Sequence, residues 1–157
     1  MASIAYDRYP RFDELTGWLN DFAAENPHLI ELSSIGQSYE GRELWLVTLT
    51  NASSGSAAEK PAVWIDGNIH ASEVTASVAI VHLIDHLTSG YGTDEAITRA
   101  LDTRTFYLVP RVNPDGAEVL RAELPRFVRG SVHPWPRTEQ LPGLVAEDID
   151  KDGRILQ

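Results

Sequence analysis

Residues 61–88 read PAVWIDGNIHASEVTASVAIVHLIDHLT. The run from Pro61 to Asp66 has the length and the β-branched and aromatic content of a buried strand. Gly67 and Asn68 then break the pattern, because both residue types favour turns. From about Ser72 to Thr88, apolar side chains recur at helical spacing. This part of the chain therefore predicts a strand, a turn and a long helix.

The flanking sequence extends this unit on both sides. Downstream, Asp94–Leu101 is typical of a short helix and Thr105–Pro110 of a second strand. A strand, a helical crossover and another strand predict a parallel pair. Upstream, Arg11–Glu25 has the periodicity of an amphipathic helix, and Leu29–Ile35 and Glu43–Thr50 predict a hairpin.

The composition is that of a single acidic globular domain. Of the 157 residues, 43% are hydrophobic and 23% are charged, so the chain can bury one hydrophobic core. The 23 acidic and 13 basic residues leave a net charge of -10, which repels phosphate backbones and anionic lipid. The sequence therefore predicts neither nucleic acid nor a membrane as a partner. The absence of cysteine excludes disulfides, thiolate zinc sites and cysteine nucleophiles.

No part of the sequence is typical of a leader or a membrane span. Met1–Pro10 lacks a basic segment followed by an apolar core, so we expect no secretory signal there. No apolar run approaches the ~20 residues that cross a bilayer. These features leave the location open, with the cytoplasm as the default expectation.

His70 and Glu73 are the first candidates for a chemical role. His70 follows the C-terminal end of a predicted strand, where open α/β sheets place their ligands. Glu73 falls in the predicted first turn of the next helix, so its carboxylate can turn back toward the histidine. An imidazole and a carboxylate that converge in this way suit zinc. The alternative is a polar loop histidine followed by a glutamate that the helix dipole favours, and the spacing alone does not separate the two.

The other four histidines are weaker candidates. His82 and His86 are four residues apart, a spacing that suits a metal pair on one helix face. That face lies opposite the bulky apolar residues, which is typical of a solvated surface. His28 and His133 fall in segments that we expect to be loops.

A second metal-binding pattern lies near residue 150. Asp148, Asp150, Asp152 and Gly153 form D-x-D-x-D-G. Alternate oxygen ligands followed by glycine are the first half of a calcium loop, so calcium is one expectation here. The closing carboxylate of such a loop would fall beyond residue 157. The alternative is a solvated acidic turn.

Three motifs together indicate a known family. They are SIGQSYEGR at residues 34–42, DGNIHASE at 66–73 and VNPDG at 112–116. Their order and spacing resemble those of zinc metallocarboxypeptidases of the carboxypeptidase A type, over about residues 6–120. The chain has no G-x-S-x-G elbow, phosphate-binding glycine loop or dinucleotide fingerprint. Serine hydrolases, NTPases and nicotinamide enzymes are therefore unsupported.

The resemblance implies an α/β domain with a mixed, largely parallel sheet flanked by helices. It also implies that His70 and Glu73 are zinc ligands and that a peptide loses its C-terminal residue by hydrolysis. In such an enzyme zinc activates a water, a glutamate takes the water's proton and an arginine-type donor stabilises the oxyanion. Arg121, Arg126 and Arg129 are available as donors, and the sequence does not choose among them.

The chain departs from the family in what it lacks. Family members are about twice as long, and their third zinc ligand, general base and groups that grip the substrate carboxylate lie downstream. None of those motifs occurs here, so catalytic and substrate-binding residues stay unassigned. Many members carry arginine directly before the glutamate ligand, where this chain has Ser72. The resemblance thus predicts that residues 1–157 are the N-terminal portion of a single domain, inactive alone, with 124–157 irregular and insertion-like.

Two other functions remain compatible with the sequence. A zinc amidohydrolase that removes acyl groups from amino acids also uses the H-x-x-E spacing. A non-catalytic remnant that kept the scaffold and lost the site would act as a binding domain. The first and third motifs favour the peptidase over the deacylase, and the reading frame beyond residue 157 would separate an enzyme from a remnant.

Overall fold

Helices and strands alternate along the chain. The helices are α1 (Phe12–Glu25), α2 (Thr75–Gly90), α3 (Glu95–Thr103) and α4 (Pro114–Leu120). The strands are β1 (Ile30–Gln37), β2 (Glu43–Leu49), β3 (Ala62–Asp66) and β4 (Thr105–Val109). Two short 3-10 helices, Ala52–Ser54 and Ala57–Glu59, lie between β2 and β3. The structure is a computed structural model, which describes residues 4, 6–123, 128–130, 148 and 151–154.

The four strands form one sheet in the order β1-β2-β4-β3. β1 and β2 are an antiparallel hairpin, in which Ile30 pairs with Leu49. β4 is antiparallel to β2 and parallel to β3, with Asp66 opposite Val109. α2 and α3 lie in the connection between β3 and β4. The predicted hairpin and the predicted parallel pair with a helical crossover are therefore confirmed.

The predicted α/β class, with a mixed sheet flanked by helices, is confirmed. Among the four described strands, however, only β3 and β4 are parallel, and the other two pairings are antiparallel. A short turn at residues 38–42 can join only antiparallel neighbours, whereas β3 reaches β4 through two helices. The expectation of a largely parallel sheet does not hold for this part of the chain.

One hydrophobic core joins the helices to the sheet. Leu15 and Leu19 from α1, Ile84 from α2, Leu101 from α3 and Leu108 from β4 are each at most 1% exposed. Burial of such a side chain contributes about 1.5–3 kcal/mol, so these contacts fix the positions of the helices against β4. Among the described residues, no helix is both long enough and apolar enough to cross a bilayer.

The start of α2 differs from the prediction. The helix begins at Thr75, not at Ser72, so Glu73 lies in a turn that precedes the helix. The amide of Glu73 donates to the carbonyl of His70 at 3.1 Å, and the amide of Ala76 donates to the carbonyl of Glu73 at 3.3 Å. These bonds span three residues, as in 3-10 turns, and not the four of an α-helix. The candidate ligands therefore occupy a loop and not a helix.

β3 is an open edge of the described sheet. It was predicted to be buried, but Trp64 is 55% exposed and Val63 is 37% exposed. The reason is that β3 pairs with β4 on one side only in the part of the chain that the structure describes. Nε1 of Trp64 donates to Oδ1 of Asp66 at 3.0 Å. An exposed apolar edge of this kind is a template for association with another strand.

Trp64→Lys should reduce self-association of the 157-residue chain, because a charge on the edge opposes pairing of two β3 strands. Sedimentation velocity over a range of protein concentrations measures the associated fraction. Tyr39→Lys is the matched control, since Tyr39 is 76% exposed but lies in the turn between β1 and β2. If both substitutions reduced the associated fraction equally, the cause would be the change in net charge and not the open edge of β3.

Candidate metal centre

His70 and Glu73 lie side by side in the loop between β3 and α2. Nδ1 of His70 is 2.9 Å from Oε1 of Glu73, and the two side chains are 32% and 60% exposed. Two metal–ligand bonds of about 2 Å each span such a separation, so one zinc ion can contact both atoms after small side-chain rotations. An imidazole nitrogen and a carboxylate oxygen are also donor types of catalytic zinc sites. The pair fits two of the three protein ligands that such a site uses.

No third metal ligand joins this pair within the described residues. No group of three or more histidine, cysteine, aspartate or glutamate side chains is placed there to hold a metal ion. His82 and His86 are exposed on α2, which confirms the predicted solvated face, and the ring of His82 packs against that of Tyr6 at 5.0 Å. His28 is exposed, as expected of a loop, and His133 lies outside the described residues.

The buried side chain of Asn68 forms hydrogen bonds to the backbone of the loop between β3 and α2. Asn68 is 2% exposed and has a left-handed backbone with a φ of 56°, a region that asparagine enters more readily than most residues. Its Nδ2 donates to the carbonyls of His70 at 2.8 Å and Ala71 at 3.2 Å, and its Oδ1 accepts from Ser77 at 3.3 Å. The bond to Ala71 occupies the carbonyl that would accept the first hydrogen bond of a helix beginning at Ser72.

Backbone hydrogen bonds join the loop after β4 to the loop after β3. The amide of Gly67 donates to the carbonyl of Val109 at 3.0 Å, and the amide of Val112 donates to the carbonyl of Gly67 at 2.9 Å. The amide of Asn113 donates to the carbonyl of Asn68 at 3.0 Å. The parallel pairing thus continues past the ends of both strands and sets the third motif against the candidate metal loop.

Gly116 sets how closely α4 approaches the candidate metal loop. A Cβ atom on Gly116 would lie 2.5 Å from Cβ of Ala71, so a larger residue would force the two elements apart. Oδ1 of Asn113 accepts from the amide of Gly116 at 3.0 Å and caps α4. Nδ2 of Asn113 donates to the carbonyl of Gly130 at 2.9 Å. The third motif therefore connects the loop to the segment 128–130.

Asp115 joins the first motif to the third. Its side chain is 6% exposed and accepts from the Ser38 hydroxyl at 2.7 Å, from Nη1 of Arg42 at 2.6 Å and from the amide of Glu40 at 3.0 Å. Burial works to raise the pKa of Asp115, but the hydrogen bonds from Ser38 and Arg42 outweigh it and hold the pKa below its usual value. Because all of these groups are engaged with one another, the two motifs serve as scaffold here.

Arg121, Arg126 and Arg129 are the three candidate donors to the oxyanion. One of them, Arg129, contacts the loop that carries the candidate ligands. Arg129 is exposed, and its carbonyl accepts from the amide of Ala71 at 3.0 Å, within the candidate metal loop. Arg121 lies at the C-terminal end of α4, and Arg126 lies outside the described residues. No local pattern records the contact between Ala71 and Arg129, so sequence reasoning did not find it.

The candidate calcium loop contains a hydrogen-bonded turn around Asp148. Its carboxylate accepts from the amide of Asp152 at 3.2 Å and from that of Gly153 at 2.8 Å. Oδ1 of Asp152 accepts from the amide of Arg154 at 2.8 Å. Asp150 lies outside the described residues. A solvated acidic turn has the same bonds, so calcium at this loop stays a prediction.

A family model described as zinc carboxypeptidase matches residues 15–139, a range that includes all three motifs. The chain belongs to the zinc carboxypeptidase family. This membership confirms the resemblance that the motifs indicated.

Curated relatives agree with this assignment. A zinc carboxypeptidase from Saccharothrix mutabilis subsp. capreolus is 33% identical over 135 residues, which cover 86% of this chain and 30% of the relative. Carboxypeptidase A1 from Homo sapiens is 36% identical over 111 residues, which cover 71% of this chain and 26% of the relative. The chain thus spans about a third or less of these relatives, a smaller share than the half that the resemblance implied.

Solved structures of the family have the same fold. The crystal structure of thrombin-activatable fibrinolysis inhibitor aligns with a TM-score of 0.76 at 26% identity, covering 87% of this chain and 33% of that one. The bovine protein, in complex with tick carboxypeptidase inhibitor, aligns with a TM-score of 0.70 at 26% identity, covering 84% and 40%. The mixed sheet with its flanking helices is therefore a fold that this chain shares with part of each of these two structures.

Asp115→Asn should lower the free energy of unfolding by about 2–4 kcal/mol at neutral pH, because it removes a buried charge from its partners. The native pKa lies below the ordinary value of about 4, so this stabilisation is complete above pH 4 and is lost as the pH falls through the native pKa. The difference between the two proteins should therefore shrink at acid pH. Urea unfolding at a series of pH values measures it.

The control for this substitution is Asp21→Asn on the exposed side of α1, which should change stability little at any pH. A stability difference for Asp115→Asn that stayed constant down to the lowest accessible pH would contradict the assigned role of the carboxylate charge.

Two substitutions at Asn68 distinguish the contribution of its side-chain hydrogen bonds to stability from that of its left-handed backbone conformation. Asn68→Gly removes the hydrogen bonds to the loop but keeps left-handed freedom, so we expect a loss of about 1–3 kcal/mol in stability. Asn68→Ala removes the same bonds and adds about 1–2 kcal/mol of backbone strain. Chemical denaturation measures both, and equal stabilities of the two variants would contradict the left-handed conformation.

Proposed function

We propose that the protein containing this chain is a zinc-dependent metallocarboxypeptidase that hydrolyses the C-terminal peptide bond of a peptide, and that the chain forms part of its single catalytic domain. The observation that carries the proposal is the contact between His70 and Glu73 at the carboxyl end of a parallel strand. Family membership supports the reaction class.

His70 and Glu73 are the residues that would hold the zinc. When bound, the metal supplies Lewis-acid chemistry, which polarises a carbonyl and lowers the pKa of water. The bonds from Asn68 fix the backbone that carries both ligands, so little conformational freedom remains to be lost when the site forms. The contact between Nδ1 of His70 and Oε1 of Glu73 holds the two candidate donor atoms next to each other.

Arg129 is our candidate for the donor that stabilises the oxyanion of the substrate. Its side chain is exposed, and its backbone is bound to the loop that carries both candidate ligands. A guanidinium held beside the scissile carbonyl strengthens its interaction as negative charge develops there. Arg121, by comparison, belongs to a separate cluster with Arg11 and Glu118.

The 157-residue chain alone should be inactive under this proposal. A catalytic zinc site uses three protein ligands, and the described residues provide two that are close together. A general base contributes about 10²–10⁴-fold to such a reaction, and none is assigned in this chain. Weak zinc binding without hydrolysis is therefore the expected behaviour of the isolated chain.

His70→Ala in the full-length protein should abolish release of the C-terminal residue from a blocked dipeptide and should lower the bound zinc. An amino-acid release assay and metal analysis of the purified protein measure the two effects. His82→Ala is the matched control, because it removes an exposed histidine from the solvated face of α2, away from the loop that carries His70 and Glu73. In the same assay, Arg129→Gln should lower kcat/KM by about 10²–10³-fold while zinc stays bound.

Several results would contradict the proposal. Full activity of His70→Ala would mean that the site lies elsewhere. Preferential release of an acyl group from N-acyl amino acids would favour the amidohydrolase. Zinc binding through His70 without hydrolysis of either substrate class would favour a binding remnant.

A further inference from the structure

Arg11 and Arg111 lie against the carboxylate of Glu118 next to the first turn of α1, and Arg121 lies beside them. Oε2 of Glu118 accepts from Nε of Arg11 at 2.6 Å, and Oε1 accepts from the amide of Phe12 at 2.9 Å. Nη1 of Arg111 lies 3.8 Å from Oε1 of Glu118, which is close enough for ion pairing but not for a hydrogen bond. Arg121 completes the cluster, since its carbonyl accepts from Arg11 at 2.9 Å.

Two guanidinium nitrogens in this cluster have no acceptor. Nη1 of Arg111 and Nη1 of Arg121 are buried, and neither makes a hydrogen bond within the part of the chain that the structure describes. The side chain of Arg111 is 2% exposed, and its other nitrogens donate to Ser77 at 3.3 Å and to the carbonyl of Pro10 at 3.1 Å. Buried charged donors without acceptors are strongly unfavourable, so an acceptor is required here.

The local charge indicates that this acceptor is an anion. Arg11, Arg111 and Arg121 outnumber the carboxylates of Glu118 and Asp7 that lie beside them, although the whole chain carries a net charge of -10. Burial lowers the pKa of Arg111 to about 10, with Glu118 opposing the shift and the charge of Arg121 adding to it. Glu14 also lies near Arg121, but both of its oxygens accept from Arg8.

A groove gives access to Arg121 from solvent. Its volume is about 380 Å³, and it is lined by Tyr6, Asp7, Arg8, Tyr9, Val78 and Arg121. The groove reaches Arg121 from solvent, and Nη1 of Arg121 and Nη1 of Arg111 are both buried. This burial favours a small spherical anion over a phosphate or a peptide carboxylate.

We propose that Arg111 and Arg121 form a binding site for a small monovalent anion of halide size, with chloride as the physiological ligand. One such ion accepts from Nη1 of both residues and offsets the excess positive charge. The site is separate from the His70–Glu73 pair but is linked to it. Nε of Arg111 donates to Ser77, and the hydroxyl of Ser77 donates to Asn68, which holds the candidate metal loop.

Crystals of the full-length protein grown with bromide in place of chloride test the site directly. Anomalous scattering at the bromine edge should give a peak in contact with Nη1 of both Arg111 and Arg121. Electron density at that position without anomalous signal would be an ordered water only, and it would overturn the proposal. Absence of density at both nitrogens would overturn it as well.

Solution stability provides an independent test. The midpoint of thermal unfolding of the full-length protein should rise by a few degrees when chloride replaces gluconate at constant ionic strength. Arg121→Gln should abolish this dependence, and Arg121→Lys should weaken it. Arg99→Gln removes the same charge from an exposed position on α3 and should leave the dependence unchanged. Equal chloride dependence in the wild type and Arg121→Gln would overturn the proposal.

Discussion

The parallel register of β3 and β4 is the constraint on which the candidate site depends. Asp66 lies opposite Val109, and the backbone bonds between Gly67, Val109 and Val112 extend this pairing beyond both strands. Since parallel strands deliver their following loops to the same edge of a sheet, the second and third motifs must meet there. A slip of one residue would turn every side chain of β3 to the other face of the sheet and misplace the loop.

Buried polar groups give this edge its particular shape. Asn68, Asp115 and Arg111 are each almost fully buried, and a buried polar group is costly unless its hydrogen bonds are made. Asn68 bonds to the loop carbonyls, and Asp115 bonds to the β1–β2 turn. Arg111 differs, because one of its nitrogens has no acceptor within the described residues.

The side chains of the candidate ligands are more exposed than the side chains of this scaffold. His70 and Glu73 are partly exposed and contact each other, whereas the groups that hold their backbone are buried. A rigid base beneath an exposed pair of donors is the arrangement that a metal site requires, because the ligands need to be oriented before the ion arrives. The same sheet has β3 at its open edge, so the candidate site lies at the border of the described fold.

The sequence alone determined the strand–helix–strand unit and the hairpin, because hydrophobic periodicity and turn residues encode them locally. The family and the pair of candidate ligands came from the resemblance of three linked motifs. Tertiary structure decided the start of α2, where Asn68 takes the carbonyl that an earlier helix would use. It also decided which arginine lies beside the loop, and it brought Arg11 and Arg111 to Glu118, with Arg121 next to them. These contacts join residues far apart along the chain, and only strand register and core packing bring them together.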